Sequence, residues 1–154
     1  MAAYLLDSSA AVKLYVAERG TPWLIHLASA AQGHELFIVR ITAVEIVAAL
    51  YRRVRAMALT SAQAVGAVAA LRRDLTGSYR IIEVSPVLAD QALLMAARHG
   101  LRGYDCVQLA GAVLAHNARV AAGISPLALV SADAELNAAA QAEGLNVDDP
   151  NTHP

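Results

Sequence analysis

The sequence predicts an α/β domain, a central and mostly parallel sheet with helices on both faces. Two observations carry this. Short apolar runs with strand character alternate with longer segments of helical periodicity. Asp7 and Asp133 each stand just past such a run, at the carboxyl ends of strands, where open parallel sheets place their sites. At 154 residues, 57% hydrophobic and 16% charged, the chain suits one packed domain and is too apolar for disorder. We expect that domain over residues 1–148 and a polar, loose tail over 149–154.

The elements follow in order. Ala3 to Leu6 is a short strand ending at Asp7, and Asp7-Ser8-Ser9 offers turn and cap chemistry. Ala10 to Ala17 reads as helical. Thr21-Pro22 fits an N-cap with proline at the first helical position, opening a helix that Gly33 ends. Leu36 to Val39 is a strand, after which Thr42 can cap a helix running to about Met57. Thr60 and Gln63 have the spacing of a capping box, for a helix ended by Gly77. Arg80 to Val84 is a strand. Ser85-Pro86 opens a helix that Gly100 stops, and another runs from Tyr104 to about Asn117. Leu127 to Val130 is a strand, Ser131 can cap the helix carrying Asp133 to Ala142, and Leu145 to Val147 forms a last strand.

Composition narrows the function classes. A net charge of −1 provides no basic field for gripping nucleic acid, so any polyanion contact needs local arginines or metal ions. One cysteine, Cys106, forbids an intrachain disulfide and fits a reducing cytoplasm. No signal peptide is visible, and Ala56 to Leu71, the longest uncharged stretch, is too short and too polar to span a bilayer. The five histidines form no i, i+4 pair, which argues against zinc. There is no Walker-type loop, dinucleotide fingerprint or serine-hydrolase elbow.

Four acids remain to be explained. Asp7, Glu45, Asp105 and Asp133 are embedded in apolar sequence, and no Lys or Arg lies beside Asp7, Glu45 or Asp133. A carboxylate near a core costs several kcal/mol unless it is compensated. Several such acids converging on one place point to a divalent metal with oxygen ligands. Each has a plainer explanation alone. Asp105 and Asp133 could be first-turn helix acids favoured by the helix dipole, and Glu45 could pair with an arginine. Arg52 shares a helix face with Glu45 and is the best arginine candidate for a phosphate; Arg40 and Arg102 are weaker ones.

The order of these segments resembles a known family. YLLDSSAAVKLY, ITAVEIVAALYR, LRGYDCVQLAGAVL and LVSADAELNAAAQAEGLNV are similar, in sequence order, to the four acidic motifs of PIN-domain nucleases. Within that family the short single-domain form resembles the VapC toxins of bacterial toxin–antitoxin pairs. The stretch between Asp105 and Asp133 is longer than in the smallest relatives, with an added segment around Arg119 to Pro126. The resemblance implies a three-layer α/β/α PIN-like domain and a Mg²⁺- or Mn²⁺-dependent endoribonuclease. It implies Asp7 and Asp105 as direct metal ligands, with Glu45 and Asp133 binding directly or through water. Ser9 and Ser131 are supporting candidates that could hydrogen-bond ligands or phosphate. RNA as substrate, a cognate antitoxin docking near the helices over 42–75, homodimerisation and a cytoplasmic location complete the expectation. The alternatives are a non-catalytic interaction module on the same fold and an aspartyl phosphatase. Such a phosphatase needs a second acid two residues after Asp7, where this chain has Ser9.

Overall fold

The computed structural model describes residues 1–153. Its strands are β1 (Ala3–Leu6), β2 (Glu35–Val39), β3 (Tyr79–Ile82), β4 (Leu127–Val130) and β5 (Asn146–Asp148). They form one sheet in the order β3-β2-β1-β4-β5, and every pairing is parallel. The chain moves outward from β1 in one direction through β2 and β3, then returns to the other side for β4 and β5. The topological switch point therefore lies between β1 and β4, whose register sets Leu6 beside Val130. An open parallel sheet binds ligands at the carboxyl end of such a point.

Period-two alternation divides the core between the two faces. Ala3, Leu5, Leu127 and Leu129 point to one side, against α5 (Pro86–His99), α6 (Gly103–Ala121) and α7 (Ala134–Ala142). Leu6, Ile38 and Val130 point to the other, against α1 (Ser8–Ala11), α2 (Thr21–Ala28), α3 (Arg40–Arg55) and α4 (Ser61–Gly77). The result is the α/β/α sandwich expected. Among the described residues, no helix is long and apolar enough to cross a membrane.

Several local signals act as read. Thr60 and Gln63 form a reciprocal capping box, the Ser85 hydroxyl accepts from the Leu88 amide, and Gly100 takes a left-handed conformation at a helix end. Gly33 is left-handed too, but it closes a separate 3₁₀ turn over Ala30–Gln32, the preceding helix having stopped at Ala28. Others differ. The first helix is a single turn continued by a 3₁₀ turn over Val12–Leu14. Gly20, not Thr21, precedes α2, with Thr21 as its first residue and Pro22 inside the first turn. Helix α3 begins at Arg40, so Thr42 is interior and fully buried and is not a cap. Strand β3 begins at Tyr79 and ends at Ile82.

The added segment before Pro126 is partly helical, since α6 runs to Ala121. Arg119 pins it, donating to the Ser125 carbonyl at 2.8 Å and to Glu35 Oε2 at 2.7 Å. Glu35 opens β2, so the insertion sits at the amino ends of the strands, away from the switch-point acids.

The C-terminal residues 149–153 are packed, contrary to the loose tail expected; Pro154 lies outside the described residues. A 3₁₀ turn over Pro150–Thr152 buries Pro150 against Gly20, where an added Cβ would stand 2.1 Å from the Pro150 carbonyl oxygen. With φ +84 as well, only glycine suits position 20. Beyond it the His153 ring stacks on Trp23, 4.1 Å between centroids and 2° from parallel.

Candidate active site

Asp7 is the first residue after β1. Its amide donates to the Val130 carbonyl at 3.1 Å, which holds the β1 and β4 ends together. Its carboxylate caps α1 by accepting from the Ala10 amide at 3.0 Å, and Ser9 Oγ donates to it at 2.8 Å. Ser9 Oγ in turn accepts from the Ala132 amide at 2.9 Å, so one hydroxyl ties the loop after β1 to the loop after β4. Ser131 is fully buried, its Oγ lies 3.5 Å from Ser9 Oγ, and it further favours ionised Asp7. These bonds only partly offset burial: Asp7 is 2% exposed, and desolvation raises its pKa to about 6.

Glu45 lies in α3 and reaches the same place half-buried. Gln108, buried in α6, donates to Glu45 Oε2 at 2.7 Å and to Thr42 Oγ1 at 2.9 Å. Gln108 therefore fixes Glu45, and Thr42 fixes Gln108. Burial, and next the charge of Asp105, raise the Glu45 pKa against the lowering effect of that hydrogen bond. Asp105 sits in the first turn of α6. Its pKa is also raised, first by burial and then by the charge of Asp133, while Arg102 opposes the shift.

Asp133, not Ser131, is the N-cap of α7. Its Oδ1 accepts from the Glu135 and Leu136 amides at 2.9 and 3.0 Å. The plainer reading of this acid is thus fulfilled by one oxygen, while the residue still lines the pocket. Ser131 instead accepts from the Asp133 amide at 3.1 Å and orients the turn.

The four acids line one cavity of about 240 Å³, together with Ser8, Ser9, Arg102 and Tyr104. None of the four forms an ion pair among the described residues. Arg40 is removed from consideration by its ion pair with Glu83. Arg52 lines an adjoining, larger cavity with Glu45 and makes no ion pair among the described residues.

Among the described residues, no three His, Cys, Asp or Glu side chains are gathered tightly enough to hold an ion by themselves. That excludes a prebuilt cage. It suits a hard cation that keeps most of its waters and takes one or two carboxylates directly, as Mg²⁺ does. An all-oxygen donor set and mutually raised pKa values also fit such an ion. Asp7 and Asp105 would hold it, with Glu45 and Asp133 reaching it directly or through water.

Gln108 and Thr42 were not among the candidates from sequence, because a glutamine inside an apolar helix gives no signal until its partner is in view. Gln108→Leu should leave Thr42 and Glu45 without their donor, at a cost of about 1–3 kcal/mol of stability. Urea unfolding of wild type and variant checks this; equal midpoints would show that the bond does not hold Glu45.

Comparison with known proteins bears on the fold. No protein-family model and no curated protein matches the chain. Solved structures do. A Pyrobaculum aerophilum protein superposes with a TM-score of 0.63 at 22% identity, covering 98% of this chain and 85% of that one. A toxin–antitoxin complex from Klebsiella pneumoniae gives 0.62 at 16% identity, covering 96% and 97%. The DNA-bound VapBC of Salmonella typhimurium gives 0.62 at 15% identity, covering 97% and 99%. The fold is PIN-like.

Proposed function

We propose that this protein is a metal-dependent endoribonuclease and the toxin of a toxin–antitoxin pair. The observation that carries the reading is the convergence of Asp7, Glu45, Asp105 and Asp133, without ion pairs among the described residues, on one cavity at the switch point of the sheet. A bound Mg²⁺ or Mn²⁺ would supply charge neutralisation at a phosphodiester and a nucleophile at neutral pH. The chain's own residues do the rest. Ser9 and the Ala10 amide aim the Asp7 carboxylate, Gln108 aims Glu45, and the α7 cap leaves the second oxygen of Asp133 for the pocket. One of Glu45 and Asp133 orients the attacking water.

The toxin role rests on similarity to a toxin–antitoxin complex from Klebsiella pneumoniae, and to the VapBC of Salmonella typhimurium, over nearly the whole chain. A cognate antitoxin follows as a partner. Helices α3 and α4 suit it: Val44 and Tyr51 on α3, Val65 on α4 and Met57 in the turn between them are exposed apolar residues. A homodimer and a cytoplasmic location are part of the same reading. The non-catalytic module is the alternative, favoured by the absence of a tight three-ligand cluster among the described residues.

Induced expression, followed by mapping of RNA 5′ ends, tests the proposal. Wild type should arrest growth and produce discrete cleavage sites. Equal growth with and without induction, with intact RNA, would favour the interaction module.

A further inference from the structure

Two cavities meet at the acids. The smaller, with the four carboxylates, shares Ser8, Ser9, Glu45 and Tyr104 with a larger one of about 560 Å³. The larger cavity is walled by three cations, Lys13, Arg52 and Arg53, and besides the shared Glu45 it has one acid, Glu18. Glu18 is already engaged, by Lys13 at 3.2 Å and by Arg53. The balance of that wall is positive. Lys13 is 5% exposed, and its Nζ also donates to Asn151 Oδ1 at 3.0 Å, so the packed C-terminal turn holds it in place. Arg53 Nη1 is buried with no hydrogen-bond partner among the described residues. Arg52, next to Arg53 in α3, stands exposed.

Tyr104 stands at the junction, 61% exposed, in the first turn of α6. A scattered exposed tyrosine needs no explanation. This one lines the passage between an acidic pocket and a basic wall. A strand with a phosphate over the acids and its next phosphate on the cations must carry a base across that passage.

We infer that Tyr104 is a stacking platform for a base beside the scissile phosphate, with the exposed Arg52 seating the neighbouring phosphate. The inference rests on the nuclease reading of the acidic pocket and adds two residues that hold the strand beside it. Stacking is available only to a base out of a duplex, because a paired base presents no free face. The cations favour a polyanion over a peptide as the occupant.

The test is fluorescence anisotropy of a labelled ten-nucleotide single-stranded RNA of mixed sequence, of its duplex, and of an acidic peptide of similar length, all in EDTA so that binding is read without metal. Tyr104→Ala should weaken single-strand binding at least about fivefold, as loss of one stacked base does. Tyr104→Phe should keep it. Arg52→Ala should lower the slope of log affinity against log salt by about one, a change Tyr104→Ala should not make. Tyr104→Ala is a surface change, and its melting temperature confirms that it folds. The inference falls if wild type does not bind the single strand, if Tyr104→Ala binds it normally, or if duplex or peptide binds as tightly. Cleavage of the same oligonucleotide with Mn²⁺ separates the two readings. Tyr104-dependent binding without cleavage removes the nuclease reading and leaves the platform. Cleavage with binding indifferent to Tyr104 removes the platform alone.

Discussion

Asp7→Asn should lose metal-dependent RNA cleavage by about a thousandfold or more, yet be more stable than wild type when no metal is present. The two effects have opposite sign because they come from one property. Asp7 is buried, and its ionised form is held in the fold against a desolvation penalty that its hydrogen bonds only partly offset. Asparagine keeps an oxygen to accept from the Ala10 amide and removes the charge. What it gives up is the ligand that would bring a cation to the phosphate, an interaction of several kcal/mol in the transition state, tenfold in rate for each ~1.4 kcal/mol. Cleavage assays with Mn²⁺ and thermal unfolding in EDTA at pH 7.5 check the two halves. A variant that cleaves like wild type removes Asp7 from the site. A variant less stable than wild type would mean that Asp7 is a structural cap and little else.

The second large effect is on pH. Asp7 has a folded pKa near 6 against an ordinary 3.8, so its neutral form favours the fold. That contribution is fully present below pH 3.8 and is lost as pH rises through about 6. The loss is on the order of 3 kcal/mol. Glu45 and Asp105 are raised too and act in the same direction. Below about pH 4.5 the trend is opposed. Glu83 and Glu143 have lowered pKa values from their Arg40 and His99 partners, and their contribution is lost as pH falls. Urea unfolding in EDTA should therefore show wild type falling behind Asp7→Asn progressively between pH 4.5 and 7.5. Mn²⁺ at a hundred times its Kd should restore about 2.7 kcal/mol to wild type at pH 7.5. A gap that stays constant with pH would show that Asp7 is ionised at no cost.

Much of this architecture was legible because its signals are local. Gly100 ends α5 in the left-handed conformation, and Thr60 with Gln63 closes a capping box without outside help. The acids were legible for an energetic reason: charge in apolar sequence demands compensation, and the sheet topology says where. What stayed hidden depends on partners far along the chain. Thr42 has the chemistry of a cap, but Gln108, sixty-six residues away, uses its hydroxyl inside the core. Ser131 and Asp133 both suit an N-cap. The backbone gives that role to Asp133, because the Ser131 hydroxyl is turned toward Ser9 and the Asp133 amide. The tail looked loose because its polarity outweighed a single proline, yet Pro150 packs on Gly20, where no Cβ stands in its way. Tyr104 gave no sign in sequence, since only the meeting of two cavities gives an exposed tyrosine a place to act.

The nuclease reading requires that the four acids bind a divalent cation. Titration of Mn²⁺ into the metal-free protein at pH 7.5, read as the disappearance of the free-ion signal in electron paramagnetic resonance, tests that without RNA or turnover. Saturable binding by wild type, lost in both Asp7→Asn and Asp105→Asn, is the predicted result. No binding by wild type at millimolar Mn²⁺, or binding undiminished in both variants, would contradict it.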